Sequence, residues 1–194
     1  MSTTERPTPS NWNLANGLTT LRLVLVPIFG WLLLADDGES DGLRIAAFVV
    51  FAVAAATDRY DGELARRRGL ITDFGKLADP IADKALTGMA FIGLSLLDEL
   101  PWWVTIVVLT REIGVTLLRF WVIRIGVIAA SHGGKLKTAL QTLALGLYIL
   151  PLSDAFDPLE IGVMALAVVV TVATGVDYVL RALAMRRDSR ATPS

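Results

Sequence analysis

Asp58-Arg59-Tyr60-Asp61-Gly62-Glu63-Leu64-Ala65-Arg66, followed at fixed intervals by Gly75, Asp79 and Asp83, sets four aspartates inside a chain that is 54% hydrophobic. Carboxylates at membrane depth are costly and persist where they pair or coordinate cations, which marks this run as functional by default. Asp58 and Asp61 are three residues apart, Asp79 and Asp83 four. On helices each spacing puts the pair on one face, a turn apart. Gly69 and the charged residues around 67–74 predict a turn between the two helices. Folding the chain at residue 70 brings Asp58 level with Asp83 and Asp61 level with Asp79, roughly 12 Å inside the end of the hairpin.

Four carboxylates converging in a low-dielectric site cannot all stay ionised unaided. Oxygen-only ligands select hard cations such as Mg²⁺, Mn²⁺ or Ca²⁺. Four aspartates on two helices suit two ions, a known device for clamping a phosphoryl group during in-line displacement. The competing reading is a structural salt-bridge network with Arg66, Arg67 and Arg68. Gly62, Ala65, Ala78 and Gly75 leave room beside the carboxylates for a planar or phosphate-bearing ligand, although small residues also serve close helix packing in membranes.

Working outward, the chain of 194 residues reads as all-α and integral to a membrane, with six apolar stretches at about 18–35, 43–65, 77–97, 102–124, 136–153 and 159–184. Residues 1–10 are a polar, proline-containing tail, 11–185 the membrane domain and 186–194 a second tail. Trp12, Leu14, Leu18 and Leu21 predict a short interfacial helix over 12–22. The first stretch lacks a small-residue cleavage site and is not read as a secretory signal. The connections near 36–42, 98–101 and 153–160 are acidic and hold no Lys or Arg, whereas the alternate ones carry Arg66, Arg67, Arg68, Lys76, Arg124, Lys135 and Lys137. The positive-inside rule then puts both termini and the basic loops in the cytoplasm. Trp31, Trp102 and Trp103 fall on the acidic side, as an aromatic belt would. No cysteine is present, which excludes disulfides and thiolate metal sites, and a single histidine excludes a histidine-based one.

A second polar set follows: Thr110-Arg111-Glu112-Ile113, Arg119, and Gly134-Lys135-Leu136-Lys137-Thr138 with Gln141. Arg111 falls mid-span, where a cation needs an anionic partner. Glu112 supplies one locally, and Lys135 and Lys137 also read as topology markers at a span end. Taken together, Arg111, Arg119, Lys135 and Lys137 would form a cationic pocket beside the metals, suited to an acceptor that itself carries phosphate. His132 reads as a solvent-facing loop residue.

The pattern D-x2-D-G-x2-A-R-x8-G-x3-D-x3-D is matched at every defined position and resembles the signature of the CDP-alcohol phosphatidyltransferase family. The resemblance implies a six-helix membrane enzyme, usually homodimeric, with two Mg²⁺ (or Mn²⁺) ions in a site that opens to the cytoplasm of a cell's inner membrane. By that analogy Asp58, Asp61 and Asp79 hold the metals, and Asp83 is shared between a metal and the incoming hydroxyl as general base. Gly62, Ala65, Arg66 and Gly75 would shape the CDP pocket. Arg111-Glu112-Ile113, the later Gly-Gly-Lys-x-Lys-Thr with Gln141, and the opening Asn13-Leu14-Ala15-Asn16-x-Leu18-Thr19-Thr20-Leu21-Arg22 resemble the branch that makes phosphatidylglycerol phosphate. Ala15 stands where that opening often has proline. The implied substrates are CDP-diacylglycerol and glycerol 3-phosphate, with CMP released; membrane lipids are the other partners, and no nucleic acid is expected. Phosphatidylinositol phosphate synthase and cardiolipin synthase activities of the same family are the alternatives. A divalent-cation transporter and a non-catalytic scaffold are the readings from other classes.

Overall fold

The computed structural model describes the backbone of residues 14–68, 73–122 and 132–191, and side chains within these except at 14–16, 58–68, 73–80, 83, 122, 132 and 188–191. Six helices follow one another: α1 (Leu14–Leu34), α2 (Asp41–Arg68), α3 (Asp73–Leu96), α4 (Trp102–Val122), α5 (His132–Ile149) and α6 (Asp157–Ala191). No strand occurs among the described residues. Each of the six apolar stretches falls on one of these helices. By length and composition alone, two segments could cross a membrane, Gly17–Gly38 and Asp154–Arg187. The others are interrupted by ionisable groups: α4 by Arg111, Glu112 and Arg119, α5 by Lys135 and Lys137. α1 runs unbroken from Leu14, so residues 14–22 are its first turns and not a separate interfacial helix; Trp12 and Asn13 lie outside the described residues.

The chain divides into two compact units, Met1–Ala90 and Phe91–Ser194. In the first, α1 buries Thr19, Arg22, Val26, Phe29 and Leu33, and α2 buries Arg44, Ala47, Phe51 and Ala54. Both stripes advance by threes and fours, which keeps them on one helical face. The faces meet at Phe29 and Phe51, whose rings are 5.6 Å apart and tilted by 41°, a favourable aromatic geometry. Between the helices a 3₁₀ turn over Ala35–Gly38 holds Asp36 and Asp37 in the left-handed region (φ 57° and 50°). Gly30 marks a close approach of α1 to α3. A Cβ there would lie 2.8 Å from the Met89 sulfur.

In the second unit, α3 ends in a Schellman motif. The Glu99 N–H donates to the Leu94 carbonyl (3.0 Å) and the Asp98 N–H to that of Ser95 (3.4 Å), with Asp98 in the left-handed position usually given to glycine (φ 58°). That turn sends the chain through Pro101 into α4. Thr105 of α4 donates to the Phe91 carbonyl (3.1 Å), and the Ser95 hydroxyl lies 2.7 Å from Thr105 Oγ1, all buried. Because the Thr105 proton is committed to Phe91, Ser95 is the donor of that pair. α5 contributes Ala144, Leu145, Tyr148 and Ile149 to the core, and α6 Met164, Ala167, Val168 and Ala182. The opposite faces carry large apolar side chains in the open, among them Trp31, Ile106, Leu117, Phe120, Val169 and Leu180. Apolar exposure on this scale marks a surface made for lipid or another apolar partner.

Replacing Thr105 by Val leaves the buried Ser95 hydroxyl without its acceptor. Unfolding of the detergent-solubilised protein should be eased by about 1 kcal/mol. Adding Ser95→Ala should recover part of that loss; a double variant weaker than the sum of the single ones would refute the assigned donor and acceptor.

Candidate functional site

Positions 58 and 61 stand on the helical backbone of α2, and 79 and 83 on that of α3. Of the turn expected around 67–74, the two ends belong to α2 and α3, and residues 69–72 lie outside the described residues. The helical register therefore holds each aspartate pair within one face, as the spacing requires. Gly62, Ala65 and Arg66 belong to the last turns of α2, and Gly75 to the first turn of α3. The side chains of Asp58, Asp61, Arg66, Asp79 and Asp83, and with them the level meeting of the two pairs, lie outside the described residues. Among the described residues no group of three or more His, Cys, Asp or Glu could hold a metal ion. The four aspartates of α2 and α3 are an all-oxygen set of the kind that suits a hard divalent cation such as Mg²⁺ or Mn²⁺.

The second polar set is built in detail within the second unit. Glu112 Oε1 accepts from Arg111 Nη1 at 3.0 Å and also from Lys137 Nζ. Arg111 lies across α6: its Nε donates to the Thr171 carbonyl (3.2 Å) and its Nη2 to Thr174 Oγ1 (3.0 Å). These groups are well removed from water, with side-chain exposures of 15% for Arg111, 17% for Glu112 and 9% for Lys137. Burial at this level makes an ion pair stronger and an unpaired charge more costly. α6 is prepared to receive the guanidinium. Thr174 turns its own proton back to the Val170 carbonyl (2.7 Å), which leaves an oxygen lone pair for Arg111. Thr171 donates to Ala167 (2.6 Å) and accepts from Gln141 Nε2 (3.0 Å). Gly175 provides the space, since a Cβ there would meet Arg111 Cγ at 2.9 Å and Nε at 3.3 Å.

The structure thus joins Arg111 and Lys137 through Glu112, the local partner that the sequence offers, and draws in Gln141. Arg119 and Lys135 are exposed and outside this network among the described residues. Arg119 sits eight residues along α4 from Arg111, about 12 Å away along the axis, and Lys135 is two residues before Lys137, on the other side of α5. His132 begins α5 and is not a loop residue; the helix extends back through Gly133 and Gly134 because first-turn positions need no intrahelical acceptor for their N–H groups. Thr171, Thr174 and Gly175 were missed by sequence reasoning. Their signal was a polar Thr-x-x-Thr-Gly step in the otherwise apolar run of α6. At the far ends of α4 and α6, the Arg186 guanidinium stacks over the Trp121 ring at 4.3 Å, a cation–π contact that ties the two helices together.

The family model for CDP-alcohol phosphatidyltransferase matches residues 12–173. A relative from Mycobacterium tuberculosis named "Probable phosphatidylglycerophosphate synthase" is 57% identical over 171 residues, which cover 88% of this chain and 82% of that protein. A Bacillus subtilis protein named CDP-diacylglycerol–glycerol-3-phosphate 3-phosphatidyltransferase is 37% identical over 180 residues, 86% of this chain and 93% of its own. An Escherichia coli protein of the same name is 38% identical over 140 residues, 69% and 75% of the respective chains. An enzyme family displaces both the transporter and the scaffold. With the aspartate run, the six helices and a match that extends from α1 into α6, the chain belongs to the CDP-alcohol phosphatidyltransferase family.

Proposed function

We propose that this protein transfers the phosphatidyl group of CDP-diacylglycerol to the primary hydroxyl of glycerol 3-phosphate, giving phosphatidylglycerol phosphate and CMP. The observation that carries this reading is the 57% identity to a relative named as a phosphatidylglycerophosphate synthase, joined to a largely buried Arg111–Glu112–Lys137 cluster suited to an acceptor phosphate.

Asp58, Asp61, Asp79 and Asp83 would hold two Mg²⁺ or Mn²⁺ ions, which when bound offset the charge of the diphosphate and of the departing CMP. Asp83 takes the proton of the acceptor hydroxyl as its oxygen bonds to the β-phosphorus; the bond from that phosphorus to the CMP oxygen breaks, and CMP leaves with the electron pair. Gly62, Ala65, Arg66 and Gly75 shape the place of the CDP group. Arg111 and Lys137 hold the acceptor phosphate. Three of the five guanidinium N–H groups of Arg111 are committed within the protein, which leaves two to donate outward among the described residues. Lys137 commits one of three. Arg119 and Lys135, both exposed, belong to the approach to this pocket. The charge asymmetry of the loops supports a cytoplasmic site, with both termini on the same side of an inner membrane. A homodimer is the assembly that the family resemblance supports.

Asp61→Asn keeps the shape of the side chain and removes the charge that a divalent ion requires. Transfer should fall by at least about 100-fold, with helical circular dichroism intact and with loss of the thermal stabilisation that added Mg²⁺ gives the parent protein. Substituting Arg111 or Lys137 by Ala should raise KM for glycerol 3-phosphate by about 10- to 100-fold, the worth of a charged hydrogen bond. KM for CDP-diacylglycerol should stay within about twofold, as measured by CMP release. Equal increases for both substrates would remove these two residues from the acceptor pocket.

A further inference from the structure

We propose that Glu112 is a positioning residue for the acceptor: its single oxygen Oε1 fixes the Arg111 guanidinium and the Lys137 ammonium in one arrangement that glycerol 3-phosphate then binds. The inference rests on the reading of Arg111 and Lys137 as phosphate-holding groups and goes beyond it by giving a role to the anion between them.

An anion inside an anion-binding pocket needs a reason, because on Coulomb grounds alone it opposes the ligand. The geometry supplies one. Lys137 comes from α5 and Arg111 from α4, and Glu112 Oε1 is the one atom that both cations share. Lysine is a flexible four-carbon stem carrying a point charge. Without an acceptor at that place its ammonium, now in a side chain only 9% exposed, would reorient toward other oxygens or water. Arg111 is held on its other edge by Thr171 and Thr174, and Gly175 allows it to lie flat against α6. The carboxylate therefore completes the clamp at the one edge that α6 does not reach. The cluster keeps a net charge of +1, from two cations and one anion. Fixed donors bind more tightly than mobile ones, because their ordering is not charged against the ligand.

Two effects oppose each other when Glu112 is neutralised. Loss of its charge strengthens the raw attraction for phosphate, and loss of charge-assisted hydrogen bonds loosens both cations. Position wins if the inference holds, since such bonds are about twice as strong as neutral ones. Glu112→Gln keeps an acceptor oxygen at nearly the same place and preserves packing. It should raise KM for glycerol 3-phosphate by about threefold, half on a logarithmic scale of the roughly tenfold rise expected for Glu112→Ala. KM for CDP-diacylglycerol should be unchanged in both variants. A Glu112→Gln protein with unchanged or lowered KM for glycerol 3-phosphate overturns the proposal, because the carboxylate would then be a structural or merely opposing charge. Parallel assays of Arg111→Ala and Lys137→Ala separate the two levels. If those variants raise the same KM and Glu112→Gln does not, only the positioning role falls; if they too leave it unchanged, the pocket and the role of Glu112 fall together.

Discussion

A charge taken out of water must find partners, and in this chain that requirement organises the second unit. Arg111 sits near the middle of α4, where an isolated cation would not be retained. It is retained because three groups answer it: a carboxylate one residue on in α4, and a carbonyl and a hydroxyl from α6. Lys137 of α5 joins through the same carboxylate. One polar centre thereby ties together three helices that otherwise meet largely through apolar faces. Apolar faces slide at little cost, whereas a guanidinium bonded in three directions does not. The cluster thus serves the fold and the proposed chemistry at once, as an internal fixing point and as a source of uncommitted donors.

Small residues make these approaches possible. Gly175 lets the Arg111 side chain lie against α6, and Gly30 lets Met89 of α3 approach α1. The two cases differ in tolerance. The atoms facing Gly30 are the end of a flexible methionine, which can move aside. Those facing Gly175 belong to an arginine pinned at Nε, Nη1 and Nη2, so a methyl group there has no cheap accommodation. Threonine has a related use on α6. Thr171 and Thr174 return their protons to carbonyls one turn back, which satisfies them inside an apolar helix and leaves their oxygens as acceptors for neighbouring chains of atoms.

Much of this was open to reading from the sequence, for physical reasons that can be named. The six helices follow from apolar runs bounded by charged or proline-containing connections, and the aspartate spacing fixes a shared face on α2 and on α3 whatever the tertiary arrangement. The mid-span position of Arg111 announced a pair, with Glu112 the nearest anion. What sequence could not give was the contribution of α6. Thr171 and Thr174 lie sixty and more residues from Arg111, and threonine in an apolar helix is most often satisfied by its own backbone. The interfacial helix failed for a similar reason. Leu14, Leu18 and Leu21 have the spacing of an amphipathic segment, but α1 runs as one helix from Leu14 through Pro27 to Leu34, and cooperative helix formation favours one rod over two. Of the other two cations grouped with Arg111 and Lys137, Lys135 stands two residues from Lys137, which turns it toward the other side of α5, and Arg119 stands about two turns along α4 from Arg111.

The charge and the donor count of the cluster bear on the proposed acceptor. Here two cations face one anion, and Arg111 and Lys137 hold back two N–H groups each among the described residues. A phosphate monoester carries about −1.5 to −2 charges near neutrality and three acceptor oxygens, which complements that residual charge and that number of donors. A neutral polyol offers hydroxyls that donate as readily as they accept and would leave the positive charge unanswered. On the proposed reading, preference for a phosphorylated acceptor rests on the two cations that Glu112 draws together, and a hydroxyl-only competitor leaves their charge unanswered.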